Sequence, residues 1–279
     1  MSFGLYTAVC GSRCQENRLE ILSRCQENRL EILSNNLANV GTAGFKEDRP
    51  IFRVSNPRIE NSVVLKDPAA HRKFMLSQKL NINYPAFSGI KTDFSTGQMK
   101  HTGNQLDVAI RGQGFFVVDT PQGELYTRMG NFSLNDKNKL VTQDGHPLKG
   151  KEKKGKGEQE KEEHVKITGT EISFNKDGTI SVDGEQINTL RVVDFKDYSS
   201  LRKEGNNLFK NVGGEENRIK VKTGEYGIDQ HFLEVSSVNV VKEMLKMIDV
   251  LRIYESYQKV IQSLDEIDSR ATRDVGAVA

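Results

Sequence analysis

From Ser236 to about Arg270, apolar residues recur three and four positions apart, the spacing of an amphipathic helix. Val241, Met244, Ile248 and Leu251 form one stripe; Met247, Val250, Tyr254, Tyr257, Ile261 and Leu264 form a second beside it. Two adjacent heptad stripes make a wide apolar face. A helix of ~34 residues is about 50 Å long. Such a rod outruns any small core preceding it in the chain. Its apolar face has to find the N-terminal helix, another chain, or both.

The other end carries a matching element. Residues 1–44 read as helix, and inside them SRCQENRLEIL occurs twice in tandem, at Ser12–Leu22 and Ser23–Leu33. Eleven residues come to about three turns, so the second copy lands ~20° from the first. Leu19, Leu22, Leu30, Leu33 and Leu37 form a stripe broken only by Gln26. An eleven-residue apolar period favours a slight right-handed supercoil. The duplication lengthens the helix by roughly 16 Å. Gly41 and Gly44 mark its end.

Between the helices, residues 45–235 read as β structure. Leu106–Ile110 alternates and leads through Gly112 and Gly114 into Phe115-Phe116-Val117-Val118. Asp-Gly pairs at Asp144-Gly145, Asp177-Gly178 and Asp183-Gly184 predict tight turns between antiparallel strands. Thr179–Val182, between two of them, predicts a short meander, and Leu190–Phe195 a further strand. Short strands with this punctuation predict a compact barrel or sandwich. Lys149–Glu163 holds no apolar residue and mixes both charge signs, so it reads as a flexible surface loop.

Charge and composition remove several functions. The chain has 40 basic and 38 acidic residues, so no overall field favours nucleic acid. Cys10, Cys14 and Cys25 are an odd set near one end, read as small core residues and not as a disulfide framework. No histidine is spaced to complete a zinc site with them. Residues 1–22 contain no apolar run suited to a signal peptide, and no stretch approaches a membrane span. Gly112-Gln113-Gly114 lacks a third glycine and precedes a strand, so it is no dinucleotide loop. The five histidines are scattered, with no HExxH motif and no G-x-S-x-G elbow. A wall hydrolase would need two carboxylates in one cleft, and nothing singles out a pair. The expected catalytic, cofactor and metal residues are therefore none.

Four motifs, in order, carry a resemblance. Asn35–Lys46, NNLANVGTAGFK, resembles the N-terminal signature of flagellar rod and hook proteins, with Gly4–Ala8 matching the family's start. Thr92–Phe116, TDFSTGQMKHTGNQLDVAIRGQGFF, with Tyr126–Arg128 and Leu140–Thr142, is similar to the central module. Val238–Val241 and Met244 through Ile261 resemble the closing segment. The phrase TDFSTG is closer to the proximal-rod branch than to the distal-rod branch. Three departures stand out: the second SRCQENRLEIL copy, the charged loop, and Gly41 where the family usually has asparagine.

The resemblance implies a structural rod subunit of the basal body. It implies export through the flagellar type III apparatus without a cleaved signal, with other rod subunits, itself and the export apparatus as partners. Nucleic acid and membrane insertion are not expected. The expected fold is α+β: a β-rich core, a small barrel or sandwich, flanked by long N- and C-terminal helices that pair as coiled coil. The expected segments are 1–44, 45–235 and 236–279. The assembly residues are Leu19, Leu22, Leu30, Leu33, Leu37, Met244, Ile248, Leu251, Tyr254, Ile261 and Leu264. The signature residues are Asn36, Leu37, Ala38, Asn39, Gly44 and Phe45. The competing readings are a distal-rod or hook-like subunit, and a secreted β-domain binding module that would have no need of Met244–Leu264.

Overall fold

A computed structural model describes residues 2–55, 84–152, 161–220 and 226–276, with backbone alone for 2–18. Helix α1 spans Ser2–Ala38 and α2 spans Val240–Gly276. The first strands are β1 (Asp48–Ser55), β2 (Tyr84–Thr92), β3 (Met99–His101), β4 (Val108–Gly112), β5 (Phe115–Thr120) and β6 (Gly123–Thr127). Next come β7 (Ser133–Leu134), β8 (Leu140–Val141), β9 (Lys149–Glu152), β10 (Lys161–His164), β11 (Ile172–Phe174), β12 (Thr179–Val182) and β13 (Glu185–Leu190). The last are β14 (Val192–Phe195), β15 (Leu201–Lys203), β16 (Leu208–Asn211), β17 (Arg218–Lys220), β18 (Tyr226–Gln230) and β19 (Phe232–Glu234).

Two sheets dominate. One has the order β10-β9-β13-β12-β11, the other β15-β16-β6-β5-β14-β17. The remaining strands form two-stranded ladders, β1-β2, β18-β4, β19-β3 and β7-β8. The meander predicted around Thr179–Val182 is present as β11, β12 and β13, antiparallel in sequence order. Asp183 and Gly184 both have positive φ, 50° and 88°, the type I′ geometry that matches strand twist in a two-residue hairpin.

Strand β5 explains how the core divides. Four consecutive apolar residues cannot all face one side of a strand, so both faces must be covered. Phe115 and Val117 join an aromatic-rich cluster with Tyr126, Val193, Phe195, Leu201 and Phe209. Phe116 faces the other way, into the cluster built by Ile110, Phe132, Leu140, Ile167, Ile180 and Leu190 among others.

The structure corrects several expectations. Leu190–Phe195 is not one strand: Leu190 ends β13 in the five-stranded sheet, while Val192 pairs with Phe116 in the six-stranded one. Arg191 is the crossing point, held by Glu124 at 3.0 Å. The charged segment Lys149–Glu163 is strand at both described ends, with Lys149 opposite His164 and Glu152 opposite Lys161, while 153–160 lies outside the described residues. Its charges find partners: Lys149 lies 2.9 Å from Glu124 and 3.6 Å from Asp119.

The larger correction concerns the helices, which do not pair as a coiled coil. Among the described residues, every extensive contact between elements joins strand to strand, and none joins α1 to α2. Knobs-into-holes pairing would cover an apolar seam along both helices, yet Val241, Met244, Leu245, Ile248 and Leu251 stand exposed. The sequence pattern established that α2 has an apolar face. It could not establish that the same chain covers it.

The chain divides into two compact units, one of residues 1–35, 48–91 and 241–279, the other of 36–47 and 92–240.

Candidate functional site

In the second unit, a short strap runs from the end of α1 into the β core. The helix closes with Asn39 N–H donating to Asn36 O at 3.2 Å and Val40 N–H to Leu37 O at 3.4 Å. Thr42 N–H then donates to Asn39 O at 3.1 Å, and Phe45 N–H to Thr42 O at 3.3 Å. Gly44 has φ 68°, and a Cβ there would lie 2.5 Å from the Arg128 carbonyl carbon, so only glycine fits. Gly44 N–H donates to Glu234 O at 2.7 Å, Ser237 N–H to Phe45 O at 3.0 Å, and Glu47 N–H to Ser237 Oγ at 2.9 Å. Lys203 lies over the Phe45 ring at 4.1 Å and donates to Lys46 O at 2.7 Å. Asn207 Nδ2 reaches Ala43 O at 3.4 Å.

Below the strap lies a buried ionic cluster. Lys46 Nζ donates to Glu234 Oε1 at 2.6 Å and to Ser95 O at 2.8 Å. The same carboxylate accepts from Gly97 N–H at 2.8 Å and faces Arg128 at 3.3 Å. The side chains of Lys46 and Glu234 are each 1% exposed, and that of Arg128 is 4%. Arg128 also donates to Ile110 O at 3.1 Å and Gly112 O at 2.6 Å. Burial holds both the Lys46 ammonium and the Arg128 guanidinium below their usual range, against the pull of Glu234. Gly97 is required here too, since a Cβ would overlap the Val235 carbonyl oxygen.

Phe94, from TDFSTG, packs beside this cluster on Phe115, Tyr198 and Phe209, with ring centroids 5.2–5.8 Å apart. The signature residues thus have distinct placements. Asn36, Gly44 and Phe45 are buried, Leu37 and Asn39 half-buried, and Ala38 exposed. Lys46 and Arg128, which tie the strap down with Glu234, fall inside motifs quoted for the resemblance, but their ionic role, and Glu234 altogether, were not read from the sequence. The available signal was a charged residue inside an apolar run, Phe232-Leu233-Glu234-Val235.

In the first unit the predicted assembly residues separate. On α1, Leu33 is buried, while Leu19, Leu22, Leu30 and Leu37 (the last on the strap side of the unit boundary) are half-buried. Ile32 and Cys25 are buried as well, and Cys25 Sγ–H donates to Pro85 O at 3.1 Å. Cys10 and Cys14 lie outside the described side chains. On α2, Met244, Ile248 and Leu251 are exposed, and Val241 reaches 67%. Tyr254, Ile261 and Leu264 are half-buried, and Val250 beside them is buried. The two stripes read from sequence are therefore one part-covered face and one open face. Near the start of α2, Glu243 is buried and pairs with Lys246 one turn on.

Among the described residues no group of three or more metal-ligating side chains is gathered, and no helix is long and apolar enough to cross a membrane.

Comparison with known proteins fits this arrangement. The profile of the flagellar basal body rod proteins matches residues 25–46, the second repeat copy and the strap. The profile of the flagellar hook protein FlgE/F/G D1 domain matches 109–182, and that of the flagellar basal body rod FlgEFG C-terminal segment matches 229–274. The chain is 30% identical to the flagellar basal-body rod protein FlgF of Caulobacter vibrioides, covering 88% of this chain and 90% of that one. It is 32% identical to FlgG of Bacillus subtilis, covering 94% and 95%. It is 30% identical to FlgG of Buchnera aphidicola from Schizaphis graminum, covering 84% and 88%. These matches define a class of structural proteins, the rod proteins of the flagellar basal body. The chain belongs to the flagellar basal-body rod protein family, with likeness to both its FlgF and FlgG branches.

Proposed function

We propose that this chain is a rod subunit that joins its neighbours by burying the open face of α2. The carrying observation is the exposed run Val241, Met244, Leu245, Ile248 and Leu251 on one side of a 37-residue helix. An exposed contiguous apolar patch of this kind marks an interaction surface. Each such side chain contributes about 1.5–3 kcal/mol when buried. Several per subunit offset the loss of freedom on association. Contacts between different faces of successive subunits, repeated without closure, give a helical filament. Self-assembly, contact with other rod subunits and passage through the flagellar export apparatus without a cleaved signal belong to this proposal. Catalysis has no part in it.

The test is quantitative mass spectrometry of hook–basal bodies purified from cells carrying the Ile248→Lys, Leu251→Lys chain. The proposal expects wild-type chain in a fixed small ratio to other rod subunits and the variant missing. A variant incorporated at wild-type level would exclude α2's open face as the joint.

A further inference from the structure

We propose that Glu234 is a latch that seats the N-terminal strap only after nearly the whole chain is present, so that the strap is a separable, last-docking part of the β core. Four residues from three segments distant in sequence converge on this residue. Its carbonyl accepts from Gly44, and its carboxylate holds Lys46, Gly97 and Arg128. Lys46 and Glu234 are 188 residues apart, so the contact closes a loop that spans most of the chain. The β5-β6 hairpin, by contrast, pairs Val117 with Tyr126 and needs only local closure. Local pairings form first, and distant ones wait for the loop-closure cost to be met.

The chemistry makes the seat conditional. Without Glu234, two cations would face each other in a site almost closed to water. Without the strap, Glu234 keeps Arg128 and the Gly97 amide, so the core retains a neutral pair. The core is thus compatible with an empty seat, whereas Lys46 of the strap finds its only hydrogen-bonded carboxylate among the described residues in Glu234, beside the neutral carbonyl of Ser95. A chain made or delivered N-terminus first would carry the strap, residues 36–47, unseated until residue 234 had followed. This holds the strap out of its final geometry while the subunit is incomplete.

Hydrogen exchange on the full chain tests both halves. In Lys46→Met, the Gly44, Glu47 and Ser237 amides should exchange about tenfold faster or more, while Val118 and Leu125, partners in β5-β6, stay unchanged, since local opening is independent of global unfolding. Glu234→Gln should show the same pattern, larger. Arg111→Ala, which removes an exposed pair with Asp229 at 2.7 Å, should leave the strap amides protected. In pulse-labelled refolding of the wild-type chain, Gly44 and Glu47 should gain protection after Val118 and Leu125. Strap amides equally protected in Lys46→Met would overturn the latch. So would loss of protection throughout the core in that variant, or strap protection arriving with or before the hairpin.

Discussion

Position 44 shows how one residue fixes a backbone path. Its left-handed φ of 68° and the adjacent Arg128–Met129 backbone leave no room for a side chain. Gly44→Ala is expected to cost about 1–3 kcal/mol, from strained backbone alone. A urea melt would show a lower midpoint, and an unchanged midpoint would mean the strap contributes nothing to stability. Glu124 supplies a second test. Burial alone would raise its pKa, but the hydrogen bond from Lys149 and the charges of Arg191, Lys149 and Arg218 hold it below the usual 4.5. A depressed acid stabilises the fold above its unfolded pKa, and that contribution is lost as pH falls through the folded value. Between pH 7 and pH 3 the wild-type chain should therefore lose more stability than Glu124→Gln. Equal losses in the two proteins would remove Glu124 from the acid response. The signature glycine was visible in the sequence; Glu124's three partners, from β9, residue 191 and β17, were not, because only the folded sheets bring them together.

At the scale of elements, the helices were legible and their partners were not. The spacing in α2 identified an apolar face, while the structure shows Met244, Ile248 and Leu251 open and Val250 closed. Ile248→Lys with Leu251→Lys should change the stability of the isolated chain by no more than about 0.5 kcal/mol per site, since exposed positions tolerate change. Denaturant midpoints read this separately from rod incorporation. A large drop would mean those side chains are covered within one chain. The duplication in α1 gives a different expectation. Deleting Ser23–Leu33 would put Cys14, Ile21 and Leu22 directly into the places of Cys25, Ile32 and Leu33, and would bring residues 1–11 about three turns closer, rotated by ~20°. The residues are identical, so soft-agar swimming should persist. Loss of swimming would show that helix length, and not side-chain identity, is what the rod uses.

For the whole molecule, the open α2 face predicts association driven by apolar burial. The purified chain should show concentration-dependent association by sedimentation that persists in high salt, because screening weakens ion pairs and leaves hydrophobic contact intact. The doubly charged α2 variant should remain monomeric under the same conditions. Association that disappears with salt would assign the contact to surface charge. The β-rich core, the Asp-Gly turns and two amphipathic ends were determined by sequence alone, because local spacing and turn chemistry act over a few residues, and the family followed from the resemblance of its motifs. Tertiary structure decided the rest. Ile21 and Ile32 sit in identical eleven-residue copies, yet one is 39% exposed and the other 6%. Phe115 and Phe116 are neighbours in one strand and enter different cores. Lys46 is satisfied by a residue 188 positions away. Burial and charge pairing depend on what the fold brings alongside a residue, and a helical or strand period carries no record of that.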